Sequence, residues 1–148
     1  IKRFIEEIGV IMVEMELKKI IIDEKRQDQI IVLKEKAGER LLPIIIGFLE
    51  ASAIKMKIAG AVPPRPLTHD LLKTVIEALD AQVNRVIIDK LEDSTFHAKI
   101  VISPKGSDKE RIVDARPSDS IALAVRVKAP IFVEEEVIKR SQVFQQGQ

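Results

Sequence analysis

Two short segments of the 148-residue chain combine arginine, acidic and imidazole or hydroxyl side chains beside the predicted start of a helix. They read Arg65-Pro66-Leu67-Thr68-His69-Asp70 and Arg116-Pro117-Ser118-Asp119. An exposed helix start presents free backbone N–H groups and partial positive charge, so a neighbouring arginine makes it a candidate site for phosphate or another anion. The chemistry predicted for both segments is the binding of a negatively charged group.

The acid in the first turn of each segment has two interpretations. As structural groups, Asp70 and Asp119 would cap the helix starts, and each arginine would pair with the acid of the other helix. As functional groups, the carboxylates would hold a divalent cation while the arginines and backbone N–H groups bind phosphate. The spacing alone leaves both interpretations open.

His69 and Glu50 extend the set of candidate functional residues. An imidazole next to Asp70 at a helix start could transfer a proton, bind a metal or simply be a polar terminal residue. Glu50 follows the uncharged run 41–49 and is either a solvent-facing acid of an amphipathic helix or a paired functional carboxylate. The other histidine, His97, falls on the polar face of an alternating segment and is interpreted as a surface residue.

Other chemistries are excluded or disfavoured by the composition. The chain has no cysteine, and therefore no thiol nucleophile, disulfide or cysteine-based zinc site. Ser118 lies outside any Gly-x-Ser-x-Gly motif, and the six glycines are too scattered for a phosphate-binding glycine-rich loop. With 24 Lys+Arg against 23 Asp+Glu, and five Phe as the only aromatic residues, the composition predicts weak affinity for nucleic acid.

Alternating hydrophobicity predicts a sheet that must position these residues. Isoleucine and valine total 37 residues, an excess typical of β-structure. The predicted strands are residues 10–22, 29–36, 40–46, 85–91, 95–102, 110–115 and 131–133. The strand at 40–46 is apolar throughout, so we expect it at a central position with both faces buried.

Helical periodicity predicts three main helices, from Phe48 to Gly60, from Thr68 to about Ala81 and from Pro117 to about Val127. Thr68 is the expected N-cap of the second helix, and Pro117 the expected first residue of the third. A polar tail is expected at about 139–148. The prediction is a single α+β domain over residues 1–148, with a mixed, mostly antiparallel sheet and three main helices packed on it.

Four motifs in order along the chain resemble the bifunctional nuclease (BFN) domain family. They are Leu42-Pro43-Ile44-Ile45-Ile46-Gly47 with Glu50-Ala51 and Ala53-Ile54, then Arg65-Pro66-Leu67-Thr68-His69-Asp70-Leu71-Leu72, Asp114-Ala115-Arg116-Pro117-Ser118-Asp119-Ser120-Ile121-Ala122-Leu123-Ala124 and Ala129-Pro130-Ile131-Phe132-Val133. The resemblance extends from about Met12 to Glu136. It implies an α+β fold, a tendency to form homo-oligomers and nuclease activity, because plant members are described as having both DNase and RNase activity.

The resemblance brings no established mechanism, so the roles of matching residues are our own inference. The favoured prediction is a phosphodiesterase acting on RNA and DNA, assisted by Mg²⁺ or Mn²⁺ and using no organic cofactor. The predicted catalytic groups are His69, Asp70 and Glu50, the metal ligands Asp70, Asp119 and Glu50, and the substrate-binding groups Arg65, Thr68, Arg116 and Ser118. The alternative is a non-catalytic oligomeric module that binds a small anion or a protein partner through the same helix starts.

Assembly and location are predicted from the apolar segments. The longest uncharged run is about half a membrane span, and Glu6 and Glu7 interrupt the apolar start in a way that is not typical of a signal peptide. The expected location is the cytoplasm, without membrane association. Residues 10–22 and 95–102 are expected to offer edges or faces for pairing, so we predict a homodimer or a larger homo-oligomer.

Overall fold

The computed structural model describes residues 9–146, with side chains described to residue 142, and contains seven strands and four helices in that range. The strands are β1 (Met12–Ile21), β2 (Asp28–Glu35), β3 (Leu41–Gly47), β4 (Ala81–Glu92), β5 (Thr95–Pro104), β6 (Arg111–Ala115) and β7 (Ile131–Glu134). The helices are α1 (Phe48–Ile58), α2 (Thr68–Ala78), α3 (Pro117–Val127) and α4 (Glu135–Gln146). No helix in the described range is long and apolar enough to cross a bilayer.

All seven strands form one sheet in the order β3-β2-β1-β7-β4-β5-β6. Every neighbouring pair is antiparallel except β4 and β7, which run parallel. The late strand β7 lies between β1 and β4 and so joins the first three strands to the second three. This confirms the predicted α+β fold with a mixed, mostly antiparallel sheet.

The positions of individual strands differ from the prediction. Within the described residues β3 is an edge strand rather than a central one. Strands β1 and β5, expected to offer edges or faces for pairing, each have partners on both sides and so offer no edge. Ile44 and Ile46 are buried, but Ile45 is 66% exposed between them. Pro43, which has no backbone N–H, is also compatible with an edge. The apolar run therefore has one face in the core and one face turned to an open groove.

The helices confirm three predicted elements and add a fourth. Leu67 is the N-cap of α2, so Thr68 is its first helical residue and the predicted cap is wrong by one position. The expected polar tail is helical as far as Gln146, where α4 ends. Val137 and Ile138 are buried in α4, which contacts β4 and β7, and this packing stabilises a helix despite its polar composition.

The core lies between the sheet and the helices α1 and α3. Helix α3 is the most deeply buried, and its residues 120–124 are all inaccessible. Ala51 of α1 and Ala122 of α3 are fully buried small residues, and α1 and α3 contact each other. Helix α2 has no buried residue and packs on α3 and β4 from outside. Helix α3 is therefore the element against which α1 and α2 are positioned.

Candidate functional site

The first turns of α1, α2 and α3 meet at one place. His69 of α2 lies with its Nε2 2.9 Å from Oδ1 of Asp119 in α3. Arg116, the N-cap of α3, donates from Nη1 to Oε1 of Glu50 in α1 at 3.2 Å. Polar motif residues on three separate helices predict a shared site or an ion-pair network, with Arg65 or Arg116 within salt-bridge distance of an acid. The contacts of Arg116 confirm this prediction. We call Glu50, His69, Arg116 and Asp119 the helix-start cluster.

Arg116 and Asp119 form the centre of the helix-start cluster. Arg116 donates from Nε to Oδ2 of Asp119 at 2.9 Å and from Nη2 to Oδ1 at 3.1 Å, while its side chain is 64% exposed. Partial burial raises the pKa of Asp119, but hydrogen bonds from Arg116 and then from His69 outweigh it and hold that pKa below its ordinary value. Asp119 is therefore an ionised carboxylate that orients a guanidinium and an imidazole.

The carboxylate of Glu50 reaches Arg116 because residue 47 is a glycine. Gly47 is the extended N-cap of α1, and the Glu50 carboxylate folds back over it. A Cβ at position 47 would overlap Oε2 of Glu50, so any other residue would displace this side chain. The Gly-x-x-Glu spacing in this motif thus has a packing reason.

His69 is the group of the cluster best suited to proton transfer. Its side chain is 12% exposed, and the hydrogen bond between Nε2 and Asp119 fixes the orientation of the ring. When Nε2 carries the proton and donates it to the carboxylate, Nδ1 is the basic nitrogen. A histidine held by a carboxylate in this way is a common arrangement for a general base.

Asp70 lies next to His69 in sequence, but its carboxylate binds groups outside the helix-start cluster. Its Oδ1 accepts a hydrogen bond from Nε of Arg126 at 2.7 Å, and its Oδ2 accepts one from the backbone N–H of Leu67 at 2.9 Å. The hydrogen bond from the Leu67 N–H is the largest effect on the pKa of Asp70 and lowers it. Burial raises this pKa, but the contacts with Arg126 lower it further, so that it lies below its ordinary value. Both oxygens are engaged, which matches the structural interpretation of this acid.

Arg126 is a residue that the sequence reasoning missed. It is 5% exposed, and besides Asp70 it binds the backbone oxygens of Ala122 at 2.8 Å and Ala53 at 3.1 Å. One guanidinium thus connects α1, α2 and α3. The available signal was its position, since Arg126 is the only charged residue in the apolar segment 121–127.

The other predicted substrate-binding residues have different environments. Arg65 and Thr68 are exposed, and neither side chain has a hydrogen bond or ion pair within the described part of the chain. Ser118 is buried and lines a large groove. Arg116 also lines this groove, so the helix-start cluster and the groove share a boundary.

The predicted metal ligands do not form a metal centre. Among residues 9–146, no three His, Asp or Glu side chains are grouped so that they could hold an ion. Arg116 contacts both Glu50 and Asp119, and Arg126 contacts Asp70, so guanidinium groups already neutralise the three carboxylates. The residues in this arrangement do not fit a divalent cation.

Comparison with known proteins identifies relatives over most of the chain. The family described as Bifunctional nuclease domain matches residues 31–146. An uncharacterized protein of Mycobacterium tuberculosis is 41% identical over 130 residues, which cover 88% of this chain and 76% of the relative.

Two plant proteins are also similar to this chain. Bifunctional nuclease 2 of Oryza sativa subsp. japonica is 32% identical over 118 residues, covering 78% of this chain and 36% of the plant protein. Bifunctional nuclease 1 of Arabidopsis thaliana is 31% identical over 107 residues, covering 71% of this chain and 33% of the plant protein. The matched region is therefore about a third of each plant relative.

Proposed function

Because the chain belongs to the bifunctional nuclease domain family, we propose that it is a nuclease that hydrolyses phosphodiester bonds in RNA and DNA. The observation that carries this proposal is the helix-start cluster, in which His69 and Arg116 share the carboxylate of Asp119. A hydrolysing site needs a base for the attacking water and a cation for the phosphate. The cluster contains one candidate for each.

His69 is the proposed general base. A water oxygen attacks phosphorus and gives a proton to the free ring nitrogen of His69, the P–O bond to the leaving group breaks, and the leaving oxygen then takes up a proton. Asp119 keeps the ring in one orientation and stabilises its protonated form, as a carboxylate does for an imidazole in other hydrolases.

Arg116 is the proposed phosphate-binding group. A guanidinium has five N–H donors, and three of those of Arg116 are used in the hydrogen bonds to Asp119 and Glu50. Two donors are left for a phosphate, and the exposure of the side chain allows one to approach. Glu50 holds the guanidinium from the side of α1. Arg65 and Thr68, exposed near the start of α2, are proposed as outer contacts for the substrate.

The net charge of +1 supports weak binding of nucleic acid, with contacts local to the cluster rather than spread over a basic surface. The proposed mechanism uses no metal ion, since the carboxylates are paired with arginines. A requirement for Mg²⁺ or Mn²⁺ in the assay would mean that Arg116 leaves Glu50 and Asp119 and lets them bind the ion.

A homodimer or larger homo-oligomer in the cytoplasm is proposed as the working state. Large apolar side chains are exposed on the surface, among them Leu49, Val62 and Leu79. Covering such residues favours association. Light scattering at tens of micromolar should give at least twice the 16.6 kDa of one chain, and a mass equal to one chain would contradict this part of the proposal.

The second candidate is a non-catalytic module that binds a small anion. It is favoured by the same arginine–carboxylate pairing. Because Arg116 binds the carboxylates of Glu50 and Asp119, these two residues do not form a metal site among the described residues. This module would bind phosphate at Arg116 without cleaving any ester.

The test is cleavage of end-labelled RNA and DNA by the purified protein in EDTA, Mg²⁺ and Mn²⁺. We expect His69→Ala to lower the cleavage rate about 10²–10⁴-fold with little change in melting temperature. His97→Ala replaces the half-buried histidine of β5, which lies outside the helix-start cluster, serves as the matched control and should keep the wild-type rate. An unchanged rate in His69→Ala would return His69 to a structural role, and no cleavage by the wild type under any condition would favour the anion-binding module.

A further inference from the structure

A groove of about 950 Å³ opens beside Arg116. Its walls come from the edge strand β3, the turn between β4 and β5, the start of α3, and α4. The apolar side of the groove includes Pro43, Ile45, Leu91 and Phe96. A cavity of this size and apolar character accommodates a planar or aliphatic group of a ligand.

Three charged residues line the groove, Arg116, Arg140 and Asp93, so the charge of its lining is net positive. We call the part formed by Arg116 and the first residues of α3 its polar end. No side chain of the described residues caps α3, and Pro117 has no N–H. The backbone N–H groups of Ser118 and Asp119 have no intrahelical acceptor. This helix has 11 residues, so its start carries the partial positive charge of a helix dipole.

Ser118 supplies an independent indication of a ligand at this end. Its side chain lines the groove while the residue is 5% exposed, and within the described residues its hydroxyl has no hydrogen-bond partner. The nearby Ser120, by contrast, donates to the backbone oxygen of Arg116 at 3.2 Å. The buried unpartnered side-chain atoms of the described residues are Nε of Arg85 and Oδ1 of Asp89, so Oγ of Ser118 is accessible and available to a group bound in the groove.

From these features we infer that the groove binds one unpaired nucleotide of a single-stranded nucleic acid. Its phosphate lies at Arg116, Ser118 and the start of α3, and its base lies against Ile45 and Phe96. This inference rests on the proposed function, because it places the base of the substrate next to the phosphodiester that the helix-start cluster would cleave. The aspartate in the first turn does not repel the phosphate strongly, since the guanidinium of Arg116 neutralises Asp119.

The groove predicts a preference for single strands over duplexes. A paired base is stacked inside the duplex and cannot enter a cavity on the protein without being extruded, which costs a few kcal/mol. A single strand exposes its bases and loses little on binding, while base contacts with an apolar or aromatic surface add about 1–3 kcal/mol each. The phosphates alone would favour the duplex, because it has the higher charge density.

The experiment measures binding without cleavage. A short fluorescein-labelled DNA strand with phosphorothioate linkages is titrated with the full chain, alone and as a duplex with its complement, and anisotropy is recorded at low salt. We expect the single strand to bind about tenfold more tightly.

Two matched variants locate the contact. Ile45→Asp places a charge in the groove, and Ile112→Asp makes the same change on β6, the other edge strand, at a residue of similar exposure (69% against 66%) that does not line the groove. Ile45→Asp should weaken single-strand binding about tenfold and Ile112→Asp should not, with unchanged melting temperatures and oligomer mass.

The outcomes separate the groove from the nuclease proposal. Equal binding of single strand and duplex, or equal effects of the two variants, would overturn the groove assignment even if the protein cleaves nucleic acid. A preference for single strands that Ile45→Asp removes, in a protein that cleaves nothing, would support the groove and contradict the nuclease.

Discussion

The starts of α2 and α3 have nearly the same Arg-Pro pattern and opposite environments. In α2 the acid Asp70 is bound by the buried Arg126 and by a backbone N–H, and Arg65 stays exposed. In α3 the acid Asp119 is bound by the exposed Arg116, which belongs to the same segment, and by His69 from α2. The buried Asp70–Arg126 pair therefore holds helices together, and we call it the brace. The Asp119–Arg116 pair is exposed, and we call it the open site.

The two ion pairs therefore differ in how much they contribute to the stability of the fold. Breaking a buried ion pair leaves an uncompensated charge in the interior and is strongly destabilising. An exposed pair is weakened by solvent screening and contributes little to stability. The open pair keeps donors available for a ligand, and the buried pair holds the helices that carry the open one.

The largest expected effect on stability is that of Asp70→Ala. Removing this carboxylate leaves Arg126 charged and buried, which should lower the free energy of unfolding by about 3–5 kcal/mol. Asp119→Ala, the matched change in α3, should cost about 1 kcal/mol or less, because Arg116 is solvent-exposed. Urea denaturation of both variants tests the comparison, and equal losses would contradict it.

A double variant checks the cause of that loss. If the buried charge is responsible, adding Arg126→Met to Asp70→Ala should restore part of the lost stability, since it removes the unpaired guanidinium. Purely additive losses would mean that Asp70 stabilises α2 mainly as a helix cap through the N–H of Leu67.

Acid pH should affect the brace in a defined direction. The folded-state pKa of Asp70 lies below its unfolded value of about 3.9, so its contribution is fully present above that pH and is lost as the pH falls through the folded pKa. Asp70→Asn should therefore lose stability less steeply than the wild type below about pH 4. Thermal unfolding measured across this pH range provides the comparison.

Glu134 gives a control of opposite sign for the pH series. Burial, and then the nearby Asp89, raise the pKa of Glu134, so its ionisation opposes folding at neutral pH. Glu134→Gln should be at least as stable as the wild type at pH 7. A loss of stability in Glu134→Gln at pH 7 would contradict this prediction, because it would mean that the ionised carboxylate stabilises the fold.

The smallest effect is expected for Arg65→Ala. Arg65 is exposed and has no ion pair in the described part of the chain, so the free energy of unfolding should change by no more than about 0.5 kcal/mol. Melting curves beside Arg116→Ala test whether the two arginines differ. A larger loss for Arg65→Ala than for Arg116→Ala would contradict this prediction, because Arg65 would then contribute to stability despite its exposure.

Local patterns were sufficient for most of the fold and for all four residues of the helix-start cluster to be recognised as candidates. They were insufficient for β3, because an apolar strand is equally compatible with a central position and with an edge whose second face lines a groove. They also missed α4, where burial of Val137 and Ile138 outweighs a polar composition. Both errors concern packing partners that are distant in sequence.

Partners that are distant in sequence also explain why the contacts of Asp70 were not predicted. Asp70 and His69 are adjacent in sequence, and both residue types are suited to a catalytic role. The partner of Asp70, however, is Arg126, at a sequence separation of 56. No spacing rule connects residues so far apart. A lone arginine in the apolar segment 121–127 was a visible clue that some acid had to meet it in the interior.

The contacts of Arg126 also determine how the three helices can move. Its guanidinium binds α1 through Ala53, α2 through Asp70 and its own helix through Ala122, so detaching α1 or α2 would strip a buried cation of a partner. Local opening of one helix is then coupled to the others, and the amide protons of all three would exchange with solvent through a shared opening rather than through separate fraying events. The helix starts would keep their mutual geometry between openings, so a substrate meets a rigid cluster.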